Sequence, residues 1–504
     1  MENLEKSKKA IETFGPLPKT MPIPERDDSL LAEWAAEYLF KDKVCFVDAF
    51  GWMYFDGKRW APVADVLVIE YYRLGIELLR EKLLRRKSMS SDLQRFSALS
   101  SKSRMRSVVD TMKGPLFQKG SDFDSNPDIV VTQNCVVDLK LGKTRPHSPT
   151  DLFTKVTAGS YIAGSTHPDF EKVLSALDDD ETAWLQELFG QGITGHPTPN
   201  DKLLFLYGDG SNGKSALINS IFKAAGDYAV SLPEKTLLTS QNDHPTEKMP
   251  LRGARLAFLE ELPEGGVLPA KRLKDLVGTP QITARQIGKD NVTWDASHTL
   301  FISTNHLPVV YETDTATWRR MRVLPFKKRF VSGEEPLEPG DVIGDANLKE
   351  RITENSSGQL DAVLSWIIDG AFSYYKAGSK FTLPEPESVK IATKQWRNEQ
   401  DTLFQFLEKY IEKASGHEIA TVDFAAAFNG DQILRGKSTW SLVQLNKQIS
   451  KHPLARKLGM STGPIRRRQG QGVLSRPAGL EALPLLGAQF QAWVGVKFRI
   501  QDDN

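Results

Sequence analysis

Cysteine is almost absent from this chain of 504 residues, which contains only Cys45 and Cys135. The two residues lie far apart and show no metal-ligand spacing. The sequence therefore supports neither a disulfide framework nor a zinc module, and we expect both side chains to be buried thiols.

Long apolar runs are also missing. No stretch approaches the roughly 20 apolar residues that cross a bilayer, and the first residues, Met-Glu-Asn-Leu-Glu-Lys-Ser-Lys-Lys, lack the apolar segment of a signal peptide. We therefore expect no membrane partner and a cytoplasmic location.

Net charge is nearly absent, since 65 Lys and Arg oppose 64 Asp and Glu. The charge is unevenly distributed, however. The stretch 435–499 contains twelve bases and one acid, and 58–119 contains fourteen bases and six acids. Two basic regions around a nearly neutral middle are typical of a protein that contacts a polyanion. The length predicts two to four domains.

The apolar run Leu203–Tyr207 leads through a glycine-rich turn into an apolar-periodic segment, which predicts a strand, a loop and a helix. The turn fits G-x-x-x-x-G-K-[ST], in which backbone N–H groups surround phosphate oxygens. Its lysine, Lys214, is expected to reach the β- and γ-phosphates, and the Ser215 hydroxyl to bind Mg²⁺. The predicted nucleotide-binding residues are Gly208, Asp209, Gly210, Ser211, Asn212, Gly213, Lys214 and Ser215.

The same turn also spells G-x-G-x-x-G, so a dinucleotide-binding fold is the first alternative. A Rossmann turn needs no Gly-Lys-Ser, and it requires an acid about 20 residues later to hold a ribose. The available acid, Asp227, follows the predicted helix rather than a second strand. The residues therefore favour a nucleoside triphosphate.

A second apolar strand, Arg255–Leu259, ends in Glu260 and Glu261. Carboxylates beside a phosphate loop can hold Mg²⁺ and activate the attacking water. We assign Glu260 mainly to magnesium and Glu261 to the water, although the two roles can be exchanged. The alternative is a solvated acidic loop, because Glu264 follows closely.

A third apolar strand, Thr299–Thr304, ends in Asn305. Its amide is a candidate to contact the γ-phosphate or to position the water; a turn or helix cap is the alternative. Arg319 and Arg320 then precede a further strand. An arginine set against a neighbouring subunit's γ-phosphate stabilises the charge that develops during transfer. Arg320 is the first candidate and Arg319 the second, against a surface salt bridge.

Between the second and third strands, residues 271–278 predict a helix with a basic face, which includes Lys274. A predicted β-hairpin follows, with Arg285 in its first strand and Lys289 at its bend. A cationic hairpin tip can contact a phosphate backbone and move as nucleotide turns over. The alternative is a solvated turn lysine.

Taken in order, these motifs resemble superfamily 3 helicases, and more closely the phage, plasmid and poxvirus primase-helicase ATPases. The motifs are Gly-Asp-Gly-Ser-Asn-Gly-Lys-Ser, Gly-Ala-Arg-Leu-Ala-Phe-Leu-Glu-Glu, Leu-Lys-Asp-Leu-Val-Gly with Ile-Thr-Ala-Arg, Ser-Thr-Asn-His-Leu-Pro and Thr-Trp-Arg-Arg-Met. Upstream, 56–60, 133–139 and 188–195 are similar to the family's N-terminal helicase-associated region.

The resemblance implies an AAA+-like P-loop ATPase core with a mostly parallel sheet, in a ring that is usually hexameric. ATP would bind with Mg²⁺ between subunits, Arg320 would act in trans, and the Lys289 hairpin would pull single-stranded DNA through the pore. The expected function is that of an ATP-dependent replicative helicase of a phage or mobile element. It would act on single-stranded and forked DNA in the host cytoplasm, beside a separate primase or polymerase.

The C-terminal region predicts a winged-helix-like domain, with a basic turn at 466–468 and a closing strand at 494–500. Its candidate phosphate contacts are Lys447, Lys451, Arg466, Arg467 and Arg468. The expected domains are a flexible lead-in (1–27), a mainly helical helicase-associated region (28–195), the ATPase core (196–330), a helical extension (331–400) and the winged-helix-like domain (401–504).

Two departures from the family pattern stand out. Asn134-Cys135 replaces the usual Asn-Gly, which concerns only a turn. The primase members carry a separate N-terminal polymerase domain, whereas a short polar segment precedes the matched region here. We therefore predict no primer synthesis by this chain.

The main functional alternative is an origin-binding initiator or loader that uses ATP as a switch without sustained unwinding. A small-molecule kinase is disfavoured, because the basic flanks suit a polyanion and no acceptor pocket is recognisable.

Overall fold

The computed structural model describes residues 2–25, 27–48, 50–85, 99, 101–238, 245–285, 291–310, 315–333, 339, 341–436, 438–461, 463–477 and 486–499. They form two compact units. Unit 1 comprises Met1–Gly266, Lys271–Leu307 and Arg320–Glu387, and unit 2 comprises Val267–Ala270, Pro308–Arg319 and Ser388–Asn504. The five-part division expected from the sequence stays a prediction.

Unit 1 begins with a helical core beside a small sheet. The helices are α1 (Glu2–Phe14), α2 (Asp28–Ala35), α3 (Asp65–Arg85) and α4 (Lys102–Thr111), and the strands are β1 (Val44–Val47), β2 (Gly51–Phe55), β3 (Trp60–Pro62) and β4 (Phe117–Gln118). The sheet order is β3-β2-β1-β4, with β4 parallel to β1.

The flexible lead-in expected at 1–27 is wrong for its first half, which forms α1. Ala10 and Phe14 are buried in the helical core, and the Phe14 ring lies 5.1 Å from that of Tyr71. Ala10 and Phe14 are four residues apart and therefore share one face of the helix. The polar composition of the segment conceals this short apolar face.

A second sheet follows in unit 1. Its strands β5 (Ile129–Val131), β6 (Val136–Asp138) and β7 (Lys143–Arg145) are antiparallel. The region expected to be mainly helical therefore also contains two sheets. Cys45 is buried as expected, whereas Cys135 is only half-buried.

The centre of unit 1 is a five-stranded parallel sheet. The chain passes through α5 (Pro168–Leu174), α6 (Asp179–Gly192), β8 (Leu203–Tyr207), α7 (Lys214–Ala225), β9 (Ala229–Leu232), β10 (Leu256–Glu260), α8 (Ala270–Val277), β11 (Gln281–Arg285), β12 (Asn291–Asp295), β13 (Thr299–Thr304), α9 (Thr315–Trp318) and β14 (Met321–Pro325). The strand order is β14-β8-β13-β10-β9, and every pairing is parallel. The uninterrupted apolar runs fit strands that are buried on both faces.

Helices α6 and α7 cover one face of this sheet. The Phe189 ring of α6 stacks on Phe301 of β13 at 4.3 Å, and the Phe222 ring of α7 lies 6.0 Å from Phe258 of β10. The two-stranded β11–β12 hairpin is antiparallel, as predicted. Its bend, with Lys289, lies outside the described residues.

Unit 1 ends with β15 (Arg329–Val331), β16 (Asp341–Ile343), α10 (Leu348–Glu354) and α11 (Gln359–Lys376). Helix α11 lies within the helical extension expected at 331–400. It approaches α6 so closely that a Cβ added at Gly190 would lie 2.2 Å from the carbonyl carbon of Gly370. Only glycine permits this backbone contact.

Unit 2 combines helices with a four-stranded sheet. Its remaining elements are α12 (Glu387–Gln400), α13 (Thr402–Tyr410), β17 (Ile411–Ala420), α14 (Thr421–Leu434), α15 (Leu442–Lys451), α16 (Pro453–Lys457), β18 (Ile465–Arg468), β19 (Val473–Leu474) and β20 (Gln489–Phe498). The sheet order is β18-β20-β17-β19. Phe406, Phe424 and Phe428 pack in its core.

Two local predictions for unit 2 need correction. The segment 466–468 lies in strand β18, not in a turn, because it pairs with β20. The closing strand starts at Gln489, five residues before the predicted start. Within the described ranges of both units, every helix is too short or too polar to cross a bilayer.

Candidate active site

The loop between β8 and α7 has the backbone geometry of an anion-binding turn. Gly210, Ser211 and Gly213 have φ values of +105°, +48° and +87°. Glycine adopts this left-handed region freely, whereas Ser211 pays a cost of roughly 1–2 kcal/mol. Successive N–H groups in such a turn form a concave nest for an anion. The Phe330 N–H donates to the Ser211 carbonyl at 2.6 Å and fixes the loop from outside.

Lys214 is buried within this loop and is 4% exposed. Its Nζ donates to the Gly208 carbonyl at 2.6 Å and to Asn212 Oδ1 at 2.9 Å. Burial lowers the pKa of Lys214 to about 8, and the Asp209 carboxylate only partly offsets this effect. Within the part of the chain that the structure describes, the buried Nδ2 of Asn212 has no hydrogen-bond partner. Both acceptors of Lys214 are neutral, so an incoming anion would be its first strong counter-charge.

The parallel register brings the predicted acids and Asn305 to the same edge of the sheet as this loop. Thr304 pairs with Tyr207, and Ser303 pairs with Glu260. The side chains of Glu260, Glu261 and Asn305 are exposed there. Because the carboxyl ends of parallel strands meet at one edge, one bound ligand can contact all of these groups.

Thr304 holds the two turns that carry Glu261 and Asn305. Its buried Oγ1 donates to the His306 carbonyl at 2.8 Å and accepts the Leu262 N–H at 3.3 Å. Glu261 has a φ of +59°, a left-handed conformation that is uncommon for glutamate and often found at functional sites. Thr304 was not among the predicted site residues, although it directly precedes Asn305 in the sequence.

The donor groups at this edge fit Mg²⁺. Ser215 is exposed in the first turn of α7, and Glu260 is exposed at the end of β10. Among the described residues, no group of three or more His, Cys, Asp or Glu side chains is placed to hold a metal. One hydroxyl and one carboxylate suit Mg²⁺, which takes most of its other ligands from substrate phosphates and water.

Arg320 lies at the opposite edge of the sheet. Its carbonyl accepts the N–H of Leu203, the first residue of β8. Its guanidinium donates to Asp201 Oδ2 at 2.7 and 3.1 Å, and the residue is 9% exposed. Arg320 is thus held in an ion pair away from the loop of its own chain. The side chain of Arg319, the second candidate, is exposed.

In the alternative of a dinucleotide-binding site, Asp227 would hold the ribose, but its carboxylate is already engaged within the protein. Asp227 lies in the 3₁₀ turn Gly226–Tyr228, where it accepts the Val156 N–H at 3.0 Å and pairs with Arg59. These contacts tie the loop after α7 to the preceding part of unit 1. Asp227 therefore has a structural partner in place of a ribose.

The candidate DNA contacts fall in both units. Lys274 and Arg285 are exposed on α8 and β11 of unit 1, and Lys447 and Lys451 are exposed on α15 of unit 2. Arg466 and Arg468 are also exposed, on β18.

Arg467 differs from its two neighbours. Its Nε donates to Glu418 Oε2 at 2.6 Å, and Glu418 is almost fully buried. Strand alternation turns Arg467 away from the side occupied by Arg466 and Arg468. Arg467 therefore already has an anionic partner, and the expected phosphate contacts of all three arginines stay a prediction.

The geometry defines an α/β protein with a glycine-lysine-serine loop and paired acids at one edge of a parallel sheet. Comparison with known proteins then shows which families two parts of the chain match. Residues 32–188 match a family described as "D5 N terminal like", and 206–320 match one described as "Family of unknown function (DUF5906)".

Curated relatives are viral. A protein of Acanthamoeba polyphaga mimivirus, provisionally named a helicase, is 23% identical over 308 residues, which is 58% of this chain and 31% of the relative. One of African swine fever virus, provisionally named a primase, is 24% identical over 340 residues, or 64% and 34%. One of Frog virus 3, provisionally named a helicase, is 27% identical over 237 residues, or 46% and 24%.

The two family matches and the viral relatives support the resemblance to phage and viral primase-helicases that the motifs suggested. The chain spans about a third of the length of the first two relatives. Among solved structures, the apo NrS-1 C-terminal region is similar at a TM-score of 0.45 and 12% identity, covering 94% of this chain and 100% of that chain.

We expect Arg320→Ala to lower the free energy of unfolding of unit 1 by about 2 kcal/mol, because it leaves the Asp201 carboxylate without its cation. The exposed Arg319→Ala should change it by less than about 0.5 kcal/mol. Chemical denaturation of both variants, completed by Asp201→Ala and the double variant, measures the coupling. A coupling energy near zero would contradict the assignment.

Proposed function

We propose that this chain is an ATP-dependent replicative DNA helicase of a phage or related replicon, which acts as a ring on single-stranded and forked DNA. The observation that carries the proposal is the convergence of the Lys214 loop, Glu260, Glu261 and Asn305 at one edge of the parallel sheet. The two family matches and the relatives named as helicases support it. The primase name belongs to a protein of which only 34% is matched, so primer synthesis is not part of the proposal.

Each residue of the candidate site would have a separate role in phosphoryl transfer. Lys214 would exchange its two neutral acceptors for the β- and γ-phosphates, while the loop N–H groups surround phosphate oxygens. Ser215 and Glu260 would hold Mg²⁺, which neutralises charge on the transferring phosphate. Glu261 would orient and deprotonate the attacking water, and Asn305 would hold that water or the γ-phosphate.

Arg320 and Arg319 remain the two candidates to act on a neighbouring subunit's nucleotide. Arg320 would first have to break its contacts with Asp201, at a cost in stability. Either arginine acts in trans only in an assembly, and a homo-hexamer is the expected one.

DNA contacts are proposed for both units. The β11–β12 hairpin would present Arg285, and Lys289 beyond it, to single-stranded DNA, with Lys274 nearby in sequence. In unit 2, Lys447, Lys451, Arg466 and Arg468 would contact phosphates, in a fold that we propose to be winged-helix-like. A separate primase or polymerase is the expected protein partner.

The second candidate function is an ATP-switched origin-binding initiator. The exposed basic residues of α15 and β18 favour it, because duplex binding alone needs no sustained unwinding. Stimulation of ATP turnover by single-stranded DNA, together with separation of a forked duplex, distinguishes the helicase from the initiator.

We expect wild type to hydrolyse ATP faster with single-stranded DNA and to unwind a forked duplex. Lys214→Ala should abolish both activities, because no lysine ammonium group then reaches the β- and γ-phosphates. Phosphate release and strand separation measure the two activities. Lys223→Ala, which removes an exposed lysine from the same helix, is the matched control. DNA-independent turnover without strand separation would favour the initiator, and unchanged turnover in Lys214→Ala would contradict both functions.

The pKa of Lys214 predicts a pH dependence of nucleotide binding. The pKa is lowered to about 8 in the free protein, and the bound phosphates should raise it, so binding takes up a proton. Affinity should be constant well below pH 8 and fall by up to about tenfold per pH unit above it. Calorimetry at several pH values measures the slope. Lys214→Arg, which stays charged, should remove this slope; equal slopes in both proteins would exclude Lys214 as its source.

The salt dependence of DNA binding should separate the three arginines of β18. Arg466→Ala and Arg468→Ala should each reduce the slope of log affinity against log salt by about 1, because each removes a phosphate contact. Arg467→Ala should instead lower stability, because it leaves the buried Glu418 unpaired. Fluorescence anisotropy at several salt concentrations measures the slope. An equal loss of slope in all three variants would contradict the assignment.

A further inference from the structure

The topology of the central sheet indicates where a nucleobase would lie. Glu260 and Asn305 follow β10 and β13, which lie on one side of β8. These groups are assigned to the γ-phosphate end of the substrate. The α-phosphate and the base then extend toward the other side of β8, where β14 is its neighbour. The segment that follows β14 is therefore the first place to search for a base-binding surface.

Phe330 lies in that segment, directly against the loop. Its N–H donates to the Ser211 carbonyl at 2.6 Å. A Cβ added at Gly213 would lie 3.4 Å from Cε2 of the Phe330 ring. The ring is half-buried, and in the parallel register of β15 and β16 Phe330 pairs with Val342, which is 39% exposed. An exposed apolar surface thus begins where the glycine-rich loop ends.

A second segment, 175–177, also packs against Gly213. The added Cβ at Gly213 would lie 2.9 Å from the Cβ of Ala176. Lys328, two residues before Phe330, donates through Nζ to the carbonyls of Ser175 and Leu177 at 2.8 and 3.3 Å. Lys328 therefore ties the 175–177 segment to the segment that carries Phe330. Phe330 is held on one side by the hydrogen bond of its N–H to the loop. On the other side, Lys328 ties the same segment to 175–177.

An independent observation points to a ligand at this loop. Asn212 is 4% exposed, and its Nδ2 has no hydrogen-bond partner among the described residues. An unpaired buried amide is unfavourable, and a rearrangement on ligand binding can relieve this cost. The polar end of a ligand and an apolar surface for its base are thus both provided beside Gly213.

We propose that Phe330 is the stacking platform for the base of a nucleoside di- or triphosphate, with Val342 beside it. The inference rests on the proposed nucleotide-binding function and adds the base-contacting residue. An aromatic face accepts any base, and its larger overlap favours purines. Phe330 therefore sets affinity for the nucleoside part of the substrate, whereas Lys214 sets affinity for the phosphates.

The test compares ADP with inorganic tripolyphosphate, which lacks a base. Binding of each to the full chain is measured by calorimetry in magnesium-containing buffer. Phe330→Ala should weaken ADP binding about tenfold or more and leave tripolyphosphate binding within about twofold of wild type. Phe330→Trp should retain ADP binding. Phe117→Ala, which removes an exposed phenylalanine from β4, is the matched control and should change neither.

Three results would overturn the inference. Equal weakening of both ligands in Phe330→Ala would make Phe330 a support of the loop, and unchanged binding of both would remove it from the site; either result leaves the proposed function standing. Wild type that binds neither ligand would overturn the proposed function as well.

Discussion

The parallel pairing of β8 with β13 and β14 is the constraint on which the rest of the site depends. It sends the ends of three apolar strands to one edge, where the loop, the acids and Asn305 can meet one ligand. The same pairing places Arg320 at the opposite edge, where Asp201 neutralises it. A single register therefore decides which polar groups share a site and which are kept apart from it.

The site was largely predictable from the sequence because strand ends are visible there. Uninterrupted apolar runs located β8, β10 and β13, and the polar residues after them lie at one edge whenever the strands are parallel. The sequence could not show pairings between distant segments. Asp201 lies 119 positions from Arg320 and Glu418 lies 49 from Arg467, so neither arginine revealed its partner.

Some elements of the fold could be predicted from the sequence, whereas others could not. The helical extension at 331–400 was predictable from the sequence, because the apolar spacing of α11 persists over several turns. Helix α1 was missed, since its burial depends on Ala10 and Phe14 alone and on the tertiary partner that receives them. The sequence predicted a turn in place of strand β18, because a run of arginines has no strand periodicity. Only the pairing with β20 defines this strand.

The contact between Gly190 and Gly370 has a mechanical consequence. Where two helices touch through their backbones, no side chain can change rotamer to let one slide past the other. Phe189 also stacks on the sheet, so α6, α11 and β13 form one stiff block behind the phosphate loop. Any movement driven by nucleotide turnover must then arise in loops outside this block, because the block itself stays rigid.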